Sequence, residues 1–201
     1  MKRRQFLLAG AAAVAAGATL RSAAAAEGDG TPAQFAPKAP KDPAPLENEL
    51  AKYQKCPYCG MDRTKFHYSR HLVVYVGDLV DGTCSLHCAA VSLSLNLPLI
   101  PKAVYAPDNG SGEAIKPMID AETATYVIGG DHKAVMTRTA KTSFASPLAA
   151  EAAKGTGELA DFQKALNLTY CHMADDMKMM RDYRLERQRR KAAEAQGERK
   201  N

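Results

Sequence analysis

The residues of this sequence best suited to chemistry are its cysteines. Two pairs lie close together along the chain, Cys56-x-x-Cys59 and Cys84-x-x-x-Cys88, and a fifth thiol, Cys171, follows much later. Thiolates at such spacings can bind a metal ion, form disulfides or carry out thiol–disulfide exchange. The elements around each pair decide among these chemistries.

Three interpretations compete for the two pairs. A zinc site would use all four thiolates, since C-x2-C and C-x3-C spacings suit a tetrahedral site. Disulfides are the default for thiols in an oxidising compartment, although Cys56-x-x-Cys59 does not begin a helix after a buried strand, as a thioredoxin-like motif would. The third is a Cu(I) site, because thiolate, thioether and imidazole ligands select this ion.

The methionines favour Cu(I). Met61 lies two residues after Cys59, and Met136 lies in a polar segment where a core methionine is unexpected. A further run of soft ligands, Cys171-His172-Met173, opens a segment in which Met173, Met177 and Met180 would share one face of a helix. An ordinary apolar stripe that docks the tail is the alternative for these methionines.

The first half of the folded region is predicted to hold two strands and a helix. Residues 71–78 (HLVVYVGD) are β-branched and aromatic, which is typical of a strand. Asp81-Gly82 predicts a turn, and we expect Thr83 to cap a helix over about Ser85–Asn96. That helix would place Cys84 and Cys88 on one face at its start. Residues 102–108 predict a second strand.

The second half repeats this outline. Residues 114–120, 124–131 and 134–146 predict strands or extended segments, Ser146-Pro147 opens a helix that stops at Gly155, and residues 159–166 form a short final helix. The shared order of strands and a helix suggests a duplication. We therefore predict an α+β fold over residues 51–169, built from two small repeated ββαβ-like units.

The start of the chain has the order of an export signal. A basic opening with Arg3-Arg4 precedes an Ala- and Gly-rich apolar run, and small residues follow up to Ala26. This predicts a twin-arginine-type signal peptide over residues 1–26, cleaved near Ala26, and a periplasmic protein; an uncleaved signal anchor is the alternative. The apolar run from Phe6 to Leu20 is short for a membrane span, so we expect none after cleavage.

The flanking segments and the charge balance limit the remaining functions. Residues 27–50 are rich in Pro and Ala and predict a disordered linker, and residues 170–201 predict a soft-ligand cluster followed by a charged, exposed helix. Without residues 1–26 the chain has 23 basic and 22 acidic residues. Except at the very C-terminus, the chain therefore lacks the excess of basic residues that a nucleic-acid-binding protein needs. Gly-rich phosphate loops and a Ser/His/Asp arrangement are both absent from the sequence.

Several segments together resemble one protein family. Cys59-Gly60-Met61 followed by an alternating strand looks like the N-terminal signature of the NosL family. The segments DGTCSLHCAAVSL, AETATYVIGG and AVMTRTAKTSFASPLAAEAAKGTGELADF then follow in the order of the family's later blocks. The resemblance covers roughly Lys52–Leu166.

NosL proteins are copper-binding accessory proteins of periplasmic nitrous oxide reductase. The resemblance implies a pair of ββαβ-like units and one Cu(I) per chain, bound by Cys59, Met61 and Met136. This chain differs from the family's pattern in its extra Cys56 and its Cys171-His172-Met173 segment. It also lacks the lipoprotein cysteine of many members.

The sequence thus predicts an exported Cu(I) metallochaperone, not an enzyme, that passes its ion by ligand exchange to a periplasmic copper enzyme. By the resemblance, that partner is nitrous oxide reductase or its maturation machinery. The candidate ligands are Cys56, Cys59, Met61, Cys84, Cys88, Met136, Cys171, His172 and Met173. One alternative is a structural zinc module that uses the four paired cysteines for protein–protein contacts. Another is a thiol–disulfide oxidoreductase built on Cys56 and Cys59.

Overall fold

The computed structural model describes residues 41–198. The predicted signal peptide, the first part of the predicted linker (27–40) and residues 199–201 lie outside the described residues. In chain order the elements are α1 Glu49–Lys52, β1 His71–Tyr75, β2 Val80–Thr83, α2 Leu86–Leu95, β3 Pro101–Pro107, β4 Met118–Asp120, β5 Thr125–Ile128, β6 Lys141–Phe144, α3 Pro147–Ala153, β7 Glu158–Ala160 and α4 Phe162–Glu198.

Two antiparallel sheets repeat one topology. The first has the strand order β2-β1-β3-β4, and the second has the order β6-β5-β7. In each, the first strand is central and pairs with the second and third strands, and a helix separates those two flanking strands along the chain. The predicted α+β fold of two ββαβ-like units is confirmed, with β4 as an addition to the first unit.

The first hairpin differs from the prediction in its turn. The chain reverses at Gly77 and Asp78, whose φ angles of 85° and 61° are left-handed, so β1 ends at Tyr75 instead of Asp78. Asp81-Gly82, predicted as the turn, lies within β2, where Gly82 pairs with Leu72. A Cβ on Gly82 would come within 2.5 Å of the Tyr53 Cβ. Close packing, not a turn, requires glycine at this position.

Local capping chemistry fixes the starts of α2 and α3. The Ser85 side chain, not that of Thr83, caps α2 by accepting a hydrogen bond from the Cys88 N–H. Thr83 instead ends β2. Ser146 caps α3 as expected, accepting from the Ala149 N–H, with Pro147 at the first helical position.

The last helix is longer than predicted. The short helix over 159–166 and the separate helical tail are one continuous helix of 37 residues, α4, and residues 158–160 form strand β7 instead. Neither Gly nor Pro occurs between Phe162 and Gln196, so nothing in this span breaks the helix.

One apolar core joins the two units. It contains buried side chains from β1, α2, β3, β5 and α4. Tyr126 and Phe162 are among its large members, with ring centroids 6.1 Å apart. The buried imidazole of His71 stacks on Tyr126, so the first strand of one sheet contacts the first strand of the other. The start of α4 is therefore held against both units.

The chain joins this fold before the end of the predicted linker. Residues 41–50 are described, and Glu49 in α1 is buried between two arginines. Its Oε1 accepts a hydrogen bond from Arg70 Nε at 2.6 Å, and its Oε2 lies 2.8 Å from Arg63 Nη1. The last part of the 27–50 segment thus belongs to the folded domain. Among the described residues, no helix is both long and apolar enough to cross a membrane.

Candidate metal centre

The first cysteine pair lies in a tight loop. An isolated antiparallel bridge joins Lys55 to Asp62. Inside it, the Cys56 N–H donates to the Met61 carbonyl and the Gly60 N–H donates to the Cys56 carbonyl, both at 2.9 Å. Gly60 has a φ of 76°, a left-handed conformation that glycine adopts without steric penalty. The loop reverses the chain and turns both thiols towards the same point.

The second pair comes from the junction of β2 and α2. Cys84 immediately precedes the capping residue Ser85, and Cys88 is in the first turn of the helix. Their Sγ atoms are 3.7 Å apart. This is the i, i+4 proximity expected from the sequence, and it depends on the helix starting where Ser85 caps it.

The four thiols form one cluster, here called the thiol quartet (Cys56, Cys59, Cys84 and Cys88). All four Sγ atoms lie within 4.8 Å of one another. Cys59 Sγ is 3.3 Å from Cys84 Sγ and 3.9 Å from Cys88 Sγ. A tetrahedral site with metal–sulfur bonds of about 2.3 Å has sulfur–sulfur edges of about 3.8 Å. The quartet therefore fits a single soft ion.

The quartet is exposed to solvent on one side only. Cys56, Cys84 and Cys88 are buried, whereas Cys59 is half-buried. None of the four is in a disulfide. An incoming ligand or ion thus meets Cys59 first.

The thiols divide electrostatically into two kinds. Hydrogen bonds from the Cys59 thiol, and then from the Cys84 and Cys88 thiols, hold the pKa of Cys56 far below its usual range. For Cys59, the bond to Cys56 raises the pKa, but bonds from Cys84 and Cys88 outweigh it and the net shift is downward. The same bonds to Cys56 and Cys59 raise the pKa of Cys84 and of Cys88. A cation bound by the quartet would instead lower the pKa of Cys84 and Cys88, and these two thiols would release their protons.

A buried polar network supports the Cys56–Cys59 loop. The Tyr58 hydroxyl donates to Asp81 Oδ2 in β2, and the Ser92 hydroxyl of α2 donates to the same oxygen at 2.7 Å. Asp81 is buried, and burial raises the pKa of its carboxyl. Sequence reasoning missed this support, since Asp81 was assigned to a turn. The network ties one ligand loop to the two elements that carry the other pair.

Two methionines adjoin the quartet. Met61 Sδ lies 3.9 Å from Cys84 Sγ, and both Met61 and Met136 pack against the buried thiols. Met136 has a φ of 60°, a conformation that costs an L-residue with a Cβ about 1–2 kcal/mol. The surrounding contacts hold Met136 there, and such strain is found often at ligand sites. The structure thus brings together Cys56, Cys59, Met61, Cys84, Cys88 and Met136.

The predicted ligands of the tail lie elsewhere. Cys171 is exposed, and the metal-site cluster found among the described residues does not include Cys171 or His172. Met173 does not line the cavities beside the quartet. The later methionines of α4, Met177, Met179 and Met180, do line them. Of the methionines that the sequence predicts on one helix face, the structure thus brings Met177 and Met180 to these cavities but not Met173.

Two cavities separate the quartet from α4. One has a volume of about 440 Å³ and is bordered by Cys88, Met177 and Leu185 among others. The second, of about 540 Å³, is bordered by Met61, Met179 and Tyr183 among others. Cys59 and Met136 border both. The half-buried thiol of the quartet is thus the point at which both cavities reach the metal centre.

Comparison with known proteins identifies a family. A family model described as NosL matches residues 47–167, a range that begins near α1 and ends early in α4. No curated protein matches the chain.

Proposed function

This chain belongs to the NosL family of copper-binding accessory proteins, and on that premise we propose that it carries Cu(I) to a periplasmic copper enzyme. The family implies a part in the maturation of nitrous oxide reductase, which makes that enzyme or its assembly machinery the proposed recipient. In this proposal the protein is an exported carrier without a catalytic activity of its own.

One observation carries the proposal. Cys59, the half-buried thiol of the quartet, and the thioether-bearing Met136 both pack against the buried thiols and both border the two cavities. Thiolates suit both Cu(I) and Zn(II), and an added thioether favours the softer Cu(I). The donor set therefore fits the proposed cargo.

The burial pattern supports transfer by ligand exchange. Cys84 and Cys88 are buried and would remain as the inner ligands. Cys59 can be approached from the cavities, so a recipient's thiolate, thioether or imidazole can replace it without unfolding the site. A Cu(I) ion held by two or three sulfurs leaves room for that incoming ligand.

The test measures metal preference after removal of the thioethers. The double variant Met61→Leu, Met136→Leu keeps the four thiols and approximately conserves side-chain volume. Under reducing conditions we expect it to lose at least about tenfold in Cu(I) affinity, a change of about 1.4 kcal/mol, while its Zn(II) affinity stays the same. Competition with a coloured Cu(I) chelator gives the first quantity, and native mass spectrometry identifies the bound metal.

Met118→Leu is the matched control, because Met118 is half-buried in β4 against a different apolar cluster. An unchanged Cu(I) affinity in the double variant, with Met118→Leu also unchanged, would sink the assignment of Met61 and Met136 as ligands.

A structural zinc site is the second candidate. The sulfur–sulfur distances of 3.3, 3.7 and 3.9 Å favour it, because they approach the edges of a tetrahedral zinc–thiolate site. This candidate predicts that the isolated protein holds Zn(II) and that chelation of the ion unfolds it. A protein that stays folded after chelation and takes up Cu(I) in place of zinc excludes it.

A further inference from the structure

We propose that α4 supplies a second soft-metal site, in which Met180, flanked by Met177 and Met179, faces Met136 and holds Cu(I) on its way to or from Cys59. The inference rests on the proposed Cu(I) function, and it places a second binding step beyond the family's matched range, which ends at residue 167. The chemical class of its ligand is a soft monovalent cation.

The methionines of the chain are concentrated at this place. Of the eight methionines in the sequence, five border the two cavities: Met61, Met136, Met177, Met179 and Met180. Met136 and Met180 border both. Met177 lies 53% exposed, so it is not an ordinary core residue that fills a gap.

Buried polar contacts hold this part of α4 against the core. Asp176, one turn before Met180, is 1% exposed, and its Oδ1 accepts a hydrogen bond from the Arg138 N–H at 3.1 Å. Its Oδ2 lies 3.7 Å from His87 Nδ1 in α2. Met180 lies on the same helix face as Asp176, four residues on. These contacts fix the turn of α4 that carries Met180. One of them is made by Arg138, which lies only two residues after the strained Met136.

The chemistry of the second site complements that of the quartet. Thioethers are neutral and bind without losing a proton, whereas Cys84 and Cys88 must be deprotonated before they bind. An ion can thus reach the methionines with no proton release and move to the thiolates afterwards. Thioethers bind more weakly than thiolates carrying a full charge, so the ion can also leave by the same passage.

Nearby arginines restrict which ion the site accepts. Arg184 borders both cavities, Arg181 borders the first and Arg187 the second. Repulsion from these guanidinium groups doubles when the charge of the ion doubles. Thioethers also offer little to hard or divalent ions. Both effects favour Cu(I), or Ag(I) as its redox-inert substitute, over Zn(II).

The experiment removes the α4 sulfurs and counts bound ions. In the full chain, Met177, Met179 and Met180 are all changed to Leu, which keeps an apolar side chain of similar volume. Wild type and variant are titrated with Ag(I) and with Cu(I) under reducing conditions, and native mass spectrometry counts the equivalents. We expect the variant to lose one equivalent and to load the remaining one at least tenfold more slowly. Met118→Leu serves as the control.

A single-site measurement covers the case in which the triple variant folds poorly. The methyl resonance of each methionine is followed by NMR in wild type and in Met180→Leu while Ag(I) is added. We expect the Met177 and Met179 methyls of wild type to shift on binding, and these shifts to weaken in Met180→Leu. Retention of every wild-type equivalent by the triple variant, or unshifted α4 methyls in wild type, overturns the proposal.

The two proposals fail separately. If the quartet binds zinc and not Cu(I), wild type holds a single Cu(I) equivalent, and the triple variant loses it. If the α4 site is absent, the triple variant keeps its Cu(I) at the quartet with wild-type stoichiometry.

Discussion

Removal of the Glu49 carboxylate tests how the fold holds its ligand loop. Glu49 is the buried counter-ion of two arginines, Arg63 at 2.8 Å and Arg70 at 2.6 Å, which are 0% and 3% exposed. Arg63 in turn donates to the Tyr53 carbonyl at 2.7 Å and to the Thr83 carbonyl at 3.0 Å. It thereby joins the residues just after the Cys56–Met61 loop to the residue just before Cys84.

The size of the effect follows from the burial of both partners. Glu49→Gln keeps the shape of the side chain but leaves two buried guanidinium groups without a counter-charge. Breaking a buried ion pair by removing one partner costs about 3–5 kcal/mol. Domains of this size are stable by about 5–15 kcal/mol in total, so the variant should lose a large part of its stability.

Urea denaturation of the metal-free, reduced protein, followed by far-UV circular dichroism at pH 7, measures this loss. Glu47→Gln, at an exposed position two residues earlier, should change the free energy of unfolding by less than about 0.5 kcal/mol. A loss below about 1 kcal/mol in Glu49→Gln would refute the reasoning, because surface ion pairs already account for that much.

Two further predictions concern the packing around the site. Burial lowers the pKa of His71 to about 4. As pH falls from about 6.5 to about 4, this imidazole therefore becomes protonated in the unfolded chain but stays neutral in the folded one, and the folded state loses stability. Wild type should lose up to about 3 kcal/mol more stability than His71→Gln between pH 7 and pH 4, and equal losses in denaturation at the two pH values would contradict this. Gly82→Ala places a Cβ 2.5 Å from the Tyr53 Cβ and 3.1 Å from Arg63 Cζ. We expect Gly82→Ala to lower the free energy of unfolding by about 1–3 kcal/mol. The control Gly112→Ala, at a position in open space, should leave it unchanged. Equal melting temperatures for the two variants would show that Tyr53 moves aside without cost and would contradict this prediction.

Features of the fold that depend on neighbouring residues could be predicted, and those that depend on distant contacts could not. Ser146-Pro147 begins α3 because capping and the fixed φ of proline act within one turn. Gly82 was assigned to a turn because its real constraint, Tyr53, lies 29 residues away. The continuity of α4 was missed because the change of composition after residue 169 was taken as a boundary, although composition alone does not end a helix.

The same distinction applies to the metal centre. The spacing of Cys84 and Cys88 was readable because both lie in one helical turn. Which methionines of α4 lie beside the thiols could not be predicted. It depends on how α4 docks through the contact of Asp176 with His87, two residues that are 89 positions apart in sequence. The predicted Cys171 points away because docking turns its face of the helix to solvent.

The closeness of the four thiols has a further consequence, because sulfurs near enough to bind one ion are also near enough to form a disulfide. Any two of them that pass two electrons to an acceptor form a disulfide, release whatever protons the two sulfurs still carry and remove half of the donors from a cluster only 4.8 Å across. Oxidation and metal uptake thus compete for the same lone pairs. Where an oxidant is present, a metal ion bound by the quartet would therefore protect these thiols from disulfide formation.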